Sequence, residues 1–419
     1  MKQTTHFITI PLIPLIILLL VTTSGYTEEE SRQKQILSFF HPYRQGPSQA
    51  EGITPGLRIN QNNFQVAQPV LPPEVLTYLQ AGDFTITVRE TTDTPLRPVY
   101  IQATLDHSAQ VELGEGHLKN YVAGLPFPLI NPQDPTAGEK MAWNLRYRDQ
   151  GDTREAWAID ETRTSRGAAE RTEVFYLAYK WGMHRPDPSQ NVQKWEKEGV
   201  YYKMYTRVLA PADMEGMLLL WQIHDQDSTP NNQWIYDPGT RRTRTVADNP
   251  YQAFGEYLVE DLDGFMGYLH SYTWRYVGEQ AVLVPGPIKA AEPTLEGKGK
   301  WYPHDPWELR QAIVIEARPK GTHPVYSRRV LYLDRQTQAP LYSLVYDPEG
   351  NHKRTFFLMY FHPAFNPWNN DGWVPALAAQ LAIDYEVDRA SIYMINKVFY
   401  NKPLKDRLFS RATLMRQGK

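Results

Sequence analysis

The stretch Gln233–Trp274, QWIYDPGTRRTRTVADNPYQAFGEYLVEDLDGFMGYLHSYTW, organises the reading of the whole chain. It opens as a strand, with Trp234 and Tyr236 on one face and Ile235 on the other, and turns at Asp237-Pro238-Gly239. It leaves as a short basic strand containing Arg241, Arg242 and Arg244. A polar break at Asp248-Asn249-Pro250 precedes an acidic, helix-like run from Glu256 to His270, and an aromatic strand follows. Strand, turn, strand and a helix laid back over the sheet form a unit from which a barrel or sandwich can be assembled.

Strand signals continue on both sides of this unit. Before it they fall at Phe84–Arg89, Val99–Thr104, Gln110–Leu113, Lys140–Arg148, Glu155–Glu161, Thr172–Lys180, Val200–Leu209 and Met217–Ile223. After it they fall at Thr273–Val277, Ala281–Val284, Arg310–Ala317, Arg328–Leu333, Leu341–Tyr346 and Thr355–Phe361. Turn residues such as Asp347-Pro348-Glu349-Gly350 join neighbours as hairpins. Helices are expected near Arg32–Phe40, from Pro73 to Gln80 with Gly82 as its stop, and over Leu404–Arg416. Many strands with short links predict an antiparallel sheet that is closed or strongly curved.

The side-chain pattern on those strands is unusual. Thr355–Phe361 carries Phe357, Met359 and Phe361 on one face, and Phe356, Leu358 and Tyr360 on the other. An antiparallel sheet with one wet face alternates apolar and polar residues, so here both faces must leave water. Either both are ordinary core, or one lines an apolar hollow. The candidate lining is Trp221, Trp234, Tyr236, Phe265, Met266, Trp274, Phe356 and Leu358, because large aromatics and methionine suit irregular greasy ligands. They suit a plain core equally well. An outer-membrane barrel is disfavoured by strands of unequal length and a basic C-terminal end.

Composition restricts function further. The chain is 42% hydrophobic and 22% charged, so most of it must fold, and its net charge of −3 provides no general attraction to nucleic acid. With no cysteine, thiol catalysis, disulfides and cysteine-based metal sites are excluded. Lys2 precedes an apolar run from Phe7 to Val21, broken by Pro11 and Pro14 and followed by small residues. This reads as a signal peptide over residues 1–25, cleaved near Gly25, with the periplasm as destination and an uncleaved anchor as the alternative. Residues 26–71 read as a surface-wrapping segment, 72–165 as an N-terminal lobe and 166–419 as the main curved sheet.

No catalytic or cofactor motif is found. There is no nucleophile elbow and no H-E-x-x-H, and Gly297-Lys-Gly299 lacks the third glycine of a phosphate loop. The histidines are too scattered to predict a metal site. Glu256, Glu260, Asp261 and Asp263 form an acidic cluster, more simply a solvated helix face than acid–base machinery. Arg241, Arg242 and Arg244 could anchor those carboxylates or meet an acidic partner or lipid headgroup, with ion pairing inside the fold preferred.

Several strings resemble a bacterial family of exported proteins of unknown function that is itself similar to Lol-type outer-membrane lipoprotein carriers. They are Tyr121-Val-Ala-Gly-Leu-Pro-Phe-Pro128, Trp143-Asn144, Trp234-Ile-Tyr236-Asp-Pro238 followed by Arg241-Arg242-x-Arg244, Asp261-Leu-x-Gly264-Phe265-x-Gly267, Val284-Pro285 and His323-Pro-Val-Tyr326-Ser-x-Arg329-Val-Leu-Tyr332-Leu-Asp334. The resemblance runs from about Pro72 to Leu414 and implies a mainly β, α+β fold: a curved antiparallel half-barrel with covering helices, enlarged by an N-terminal lobe. It also implies a carrier of a lipid or other hydrophobic molecule, with a membrane exporter or outer-membrane protein as partner. It brings no catalytic residues and no cofactor. A ligand-free adaptor of a transport complex and an envelope hydrolase are the alternatives.

Overall fold

A computed structural model describes residues 28–44, 46–365 and 373–417. The expected signal segment, residues 1–25, lies outside the described residues. Thirteen strands make one sheet: β1 Thr153–Thr164, β2 Ala169–Trp181, β3 Val200–Ala210, β4 Leu218–His224, β5 Asn232–Asp237, β6 Arg242–Val246, β7 Tyr272–Pro285, β8 Trp307–Pro319, β9 Arg328–Asp334, β10 Pro340–Tyr346, β11 His352–Phe361, β12 Ala376–Asp384 and β13 Arg389–Tyr400. Their spatial order is β6-β5-β4-β3-β2-β1-β13-β12-β11-β10-β9-β8-β7, and the sheet stays open. Two antiparallel meanders therefore meet where β13 pairs with β1. The chain walks outward from β1 to one edge, crosses to the far edge through residues 247–271, and walks back.

The quoted stretch is thus a crossover between the two edges of the sheet. Its acidic half is not a helix. Tyr257–Leu258 is extended, and short 3-10 turns cover Val259–Gly264 and Leu269–Ser271. Positive φ angles at Gly255, Asp263 and Gly264 break any helical path.

The sheet must curl strongly. Tyr202 of β3 and Phe265 line one small cavity, and the Phe265 ring packs against Trp274 of β7 with centroids 5.3 Å apart. β3 and β7 are nine steps apart in the sheet order, about 43 Å if it were flat at about 4.8 Å per strand. Only a half-barrel brings both to one phenylalanine.

The described helices are α1, residues 28–40, then α2 Pro73–Ala81, α3 Pro98–His107, α4 Ala137–Arg146, α5 Gln193–Lys197 and α6 Arg411–Gln417. α2 ends at Gly82 in the left-handed region, as expected from sequence. Two expected strands, Val99–Thr104 and Lys140–Arg148, are instead α3 and α4. Pro98 at the first turn of α3 favours helix entry. In α4 the residues Met141 to Leu145 are all buried, so apolar residues run consecutively and hide the helical period. Sequence patterning also missed β12 and β13, the strands that connect the two meanders.

Cross-strand register assigns the faces. Arg329, Val345, Arg354 and Asp384 lie side by side across β9 to β12, with Leu331, Ser343, Phe356 and Ala382 in the next row. This inner face is covered by the crossover. Phe357 on the outer face packs against Tyr302 and Trp307, which stack on Phe84, while Glu74 of α2 accepts from the Tyr346 hydroxyl at 2.5 Å. Both faces of β9–β12 are dry because different chain segments cover each. Phe356 and Leu358 do not wall a hollow: both are fully buried, and a Cβ built on Gly264 would stand 3.2 Å from Leu358 Cδ2 and 2.6 Å from Pro340 Cβ. The boundary expected after residue 165 falls in the hairpin between β1 and β2, which pair from Thr153 to Arg163.

Candidate functional site

The crossover is pinned by ion pairs rather than floated on solvent. Glu260 and Asp261 are 1% and 0% exposed, which overturns the expected solvated helix face. Arg329 of β9 donates to Glu260 at 3.0 Å and is also paired with Asp261. His323 Nε2 lies 3.1 Å from Glu260, the Tyr272 hydroxyl donates to Glu260 at 2.6 Å, and the Tyr326 hydroxyl donates to Asp261 at 2.8 Å. Arg354 reaches Tyr326 at 2.7 Å and Asp384 at 2.7 Å. Burial alone would raise the Glu260 pKa, but His323, Arg329 and Tyr272 outweigh it and hold the carboxyl below its usual range. Gln380 of β12 clamps the backbone, accepting from Gly264 N–H at 3.2 Å and donating to the Asp261 carbonyl at 2.9 Å. Glu260, Asp261 and Asp384 are thus each held by ion pairs or hydrogen bonds.

The strings that carry the family resemblance meet in pairs. Asp261-Leu-x-Gly264-Phe265 meets Tyr326 and Arg329 through Asp261, and the preceding Glu260 meets His323. The Asn144 amide donates to the Phe127 carbonyl at 2.8 Å and accepts from its N–H at 2.9 Å, so Trp143-Asn144 of α4 holds the Tyr121–Pro128 loop.

The residues expected to line a cavity separate into two groups. Trp221, Phe265, Trp274, Phe356 and Leu358 belong to the inner-face core, and Met266 lies beside Phe265 in the crossover. Trp234 and Tyr236 point the other way, into a second cluster with Leu218 and Leu220 beneath Phe409 and Leu414 of the C-terminal segment. Register explains the split: Trp221 pairs with Gln233, so its row passes through Gln233 and Ile235 and leaves Trp234 and Tyr236 on the outer face. The basic strand does not anchor the acidic cluster. Arg242 and Arg244 project from the edge strand β6, Arg244 lies 3.8 Å from Asp237, and among the described residues no carboxylate is within 4 Å of Arg241 or Arg242.

Two open spaces have different character. A groove of about 550 Å³ runs between α1, the loop 127–131, Met141 of α4 and strands β7 and β8. Phe39, Phe127, Leu129, Ile130, Met141 and Ile313 give it apolar surface, and Gln35, Ser38, Asn131, Glu279 and Arg335 give it polar surface in similar measure. Leu129 is 41% exposed while Met141 and Ile313 are buried at the floor. The second space, about 60 Å³, lies under the crossover between Tyr179, Trp181, Tyr202, Phe265 and the guanidinium of Arg148. An adjoining pocket of about 20 Å³ shares Arg148, Gln150 and Asp263 with it and adds Arg154. None of the expected cavity residues lines the large groove. Its one sequence signal was the run of apolar residues in the proline-broken loop Leu125–Ile130, where no core strand or helix could form.

A family described as protein of unknown function, DUF1329, matches residues 58–402. The chain belongs to this family. The DUF1329 match begins ahead of α2 and takes in the whole sheet. An uncharacterized protein of Pseudomonas aeruginosa is 24% identical over 301 residues, covering 66% of this chain, and the match spans 63% of that relative's length. A crystal structure of a DUF1329 family protein from Desulfovibrio piger has TM-score 0.48 and 16% identity, over 68% of this chain and all of that one. A LolA superfamily protein from Nitrosomonas europaea has TM-score 0.41 and 11% identity, with the same coverage.

Proposed function

We propose that the protein is an exported, non-enzymatic binder or carrier of a lipid or similarly apolar molecule, serving an envelope transport system. The groove between α1, the 127–131 loop and β7–β8 carries this reading. At about 550 Å³ it falls within the roughly 300–1,000 Å³ of small-molecule sites, and its floor and one wall are aliphatic and aromatic. The apolar run Phe7–Val21 supports export. Affinity would come from apolar area removed from water, about 25 cal/mol per Å².

The test is titration of delipidated protein with N-phenyl-1-naphthylamine, followed by displacement with fatty acid or phospholipid. Saturable fluorescence enhancement that Leu129→Asp and Ile130→Asp weaken by about tenfold, the worth of roughly one buried aliphatic side chain, supports the reading. Absence of enhancement with every apolar probe sinks it.

A further inference from the structure

The small space under the crossover is unlike the groove. Its walls hold cationic groups that the surrounding carboxylates do not fully answer. Arg148, just past α4, donates to the Leu145 carbonyl at 2.7 Å and to the Asp263 carbonyl at 3.4 Å. Among the described residues no carboxylate lies within 4 Å of it. Nearby acids are already engaged: Asp149 accepts from Arg97 at 2.6 Å, and Asp227 from Arg146 at 2.8 Å. Arg154, 6% exposed, lies 3.2 Å from Asp263 through one terminal nitrogen and 3.9 Å from the Tyr179 ring centroid, and its Nε has no partner. Asp263 itself is held at φ +50°, a left-handed backbone that a non-glycine residue seldom adopts.

Charge and volume together restrict the occupant. Arg148 and Asp263 line both pockets and Arg154 lines the smaller one, so these three groups leave one positive charge in excess where the two pockets meet. A space of about 60 Å³ holds about four waters, enough for a carboxylate or phosphate group and too small for an acyl chain. Guanidinium groups match such oxyanions geometrically, and Gln150 and Asn231 add side-chain amides to the same lining.

We propose that Arg148, supported by Arg154 and Gln150, forms an oxyanion-binding site beneath the crossover, distinct from the groove. The ligand chemistry is a phosphate or carboxylate, free or carried as the head of an amphiphile.

The experiment is isothermal titration of the full chain with inorganic phosphate, lysophosphatidic acid and the phosphate-free monoacylglycerol. A free-oxyanion site should bind inorganic phosphate saturably, whereas a headgroup site should bind lysophosphatidic acid at least about tenfold tighter than monoacylglycerol. Arg148→Gln should abolish that difference and leave monoacylglycerol binding and the circular dichroism spectrum unchanged. Arg148→Lys, which keeps the charge, should retain part of the preference and guards against a folding defect in the glutamine variant. Saturable binding of inorganic phosphate that Arg148→Gln removes identifies a free oxyanion as sufficient, whereas binding of lysophosphatidic acid alone identifies a headgroup. Equal affinity for the phosphate-bearing and phosphate-free lipids, with no response to inorganic phosphate, overturns the site. Loss of monoacylglycerol binding in wild type speaks against the groove instead, so the two readings fail separately.

Discussion

Arg329 and Asp261 are ion-paired on the inner face of the sheet, 68 positions apart in sequence and each 1% exposed or less at the side chain. The pair fixes the crossover to β9, and Glu260 shares the same guanidinium. Removing one partner of a buried pair leaves uncompensated charge, which costs about 3–5 kcal/mol. Arg329→Met should therefore lower the urea midpoint sharply. The triple variant Glu260→Gln, Asp261→Asn, Arg329→Met, with no net buried charge, should recover part of the loss. A single variant as stable as wild type would show that the network does not hold the crossover.

Asp160 of β1 accepts from the Tyr257 hydroxyl at 2.6 Å, but its other oxygen is buried without a partner. Burial pushes its carboxyl up to about 6, with Glu173 and Glu161 adding to the shift and the Tyr257 bond opposing it. The folded state thus holds this proton more tightly than the unfolded chain, where aspartate titrates near 3.9. This contribution to stability is full below about pH 4, declines as pH rises to about 6, and is lost above that. The loss is about 3 kcal/mol at about 1.36 kcal/mol per unit. Asp160→Asn should consequently raise the melting temperature at pH 8 and leave it nearly unchanged at pH 4. An equal effect at both pH values would contradict this.

The arginines of β6 sit on an open sheet edge. Exposed edges pair with other chains unless charge or shape prevents it, and the weak Arg244–Asp237 contact contributes little stability. Arg242→Val with Arg244→Val should leave thermal stability within about 0.5 kcal/mol of wild type and produce concentration-dependent association in sedimentation velocity. A double variant that stays monomeric at high concentration would remove the protective role.

The fold was legible wherever aromatic and β-branched runs were bounded by turns, as in β1 to β5 and β8 to β11, even where β10 and β11 are buried on both faces and do not alternate. Ala376–Asp384, ALAAQLAID, is as deeply buried but rich in alanine, which is depleted in strands, so neither alternation nor composition marks it. In α4 the consecutive buried residues hide the helical stripe. The candidate site was harder still. Trp221 and Trp234 are both aromatic residues on adjacent strands, yet register sends them to opposite faces, and register depends on a loop that local patterning does not fix. The greasy double-faced strands gave the correct conclusion that both faces are dry. They gave no means of telling a hollow from the plug that the crossover provides. Arg148 and Arg154 were passed over because a lone arginine carries no motif; their meaning arises only when Asp263 is placed between them.

Native mass spectrometry of the protein purified from its native cells, with organic extraction of any adduct, tests the central claim most directly. The account predicts a substoichiometric to stoichiometric lipid-like adduct in wild type that is depleted in the Leu129→Asp, Ile130→Asp variant while the folded mass envelope is preserved. A protein that is empty as isolated, stays empty when offered fatty acids and phospholipids, and is unaffected by the groove substitutions would contradict it.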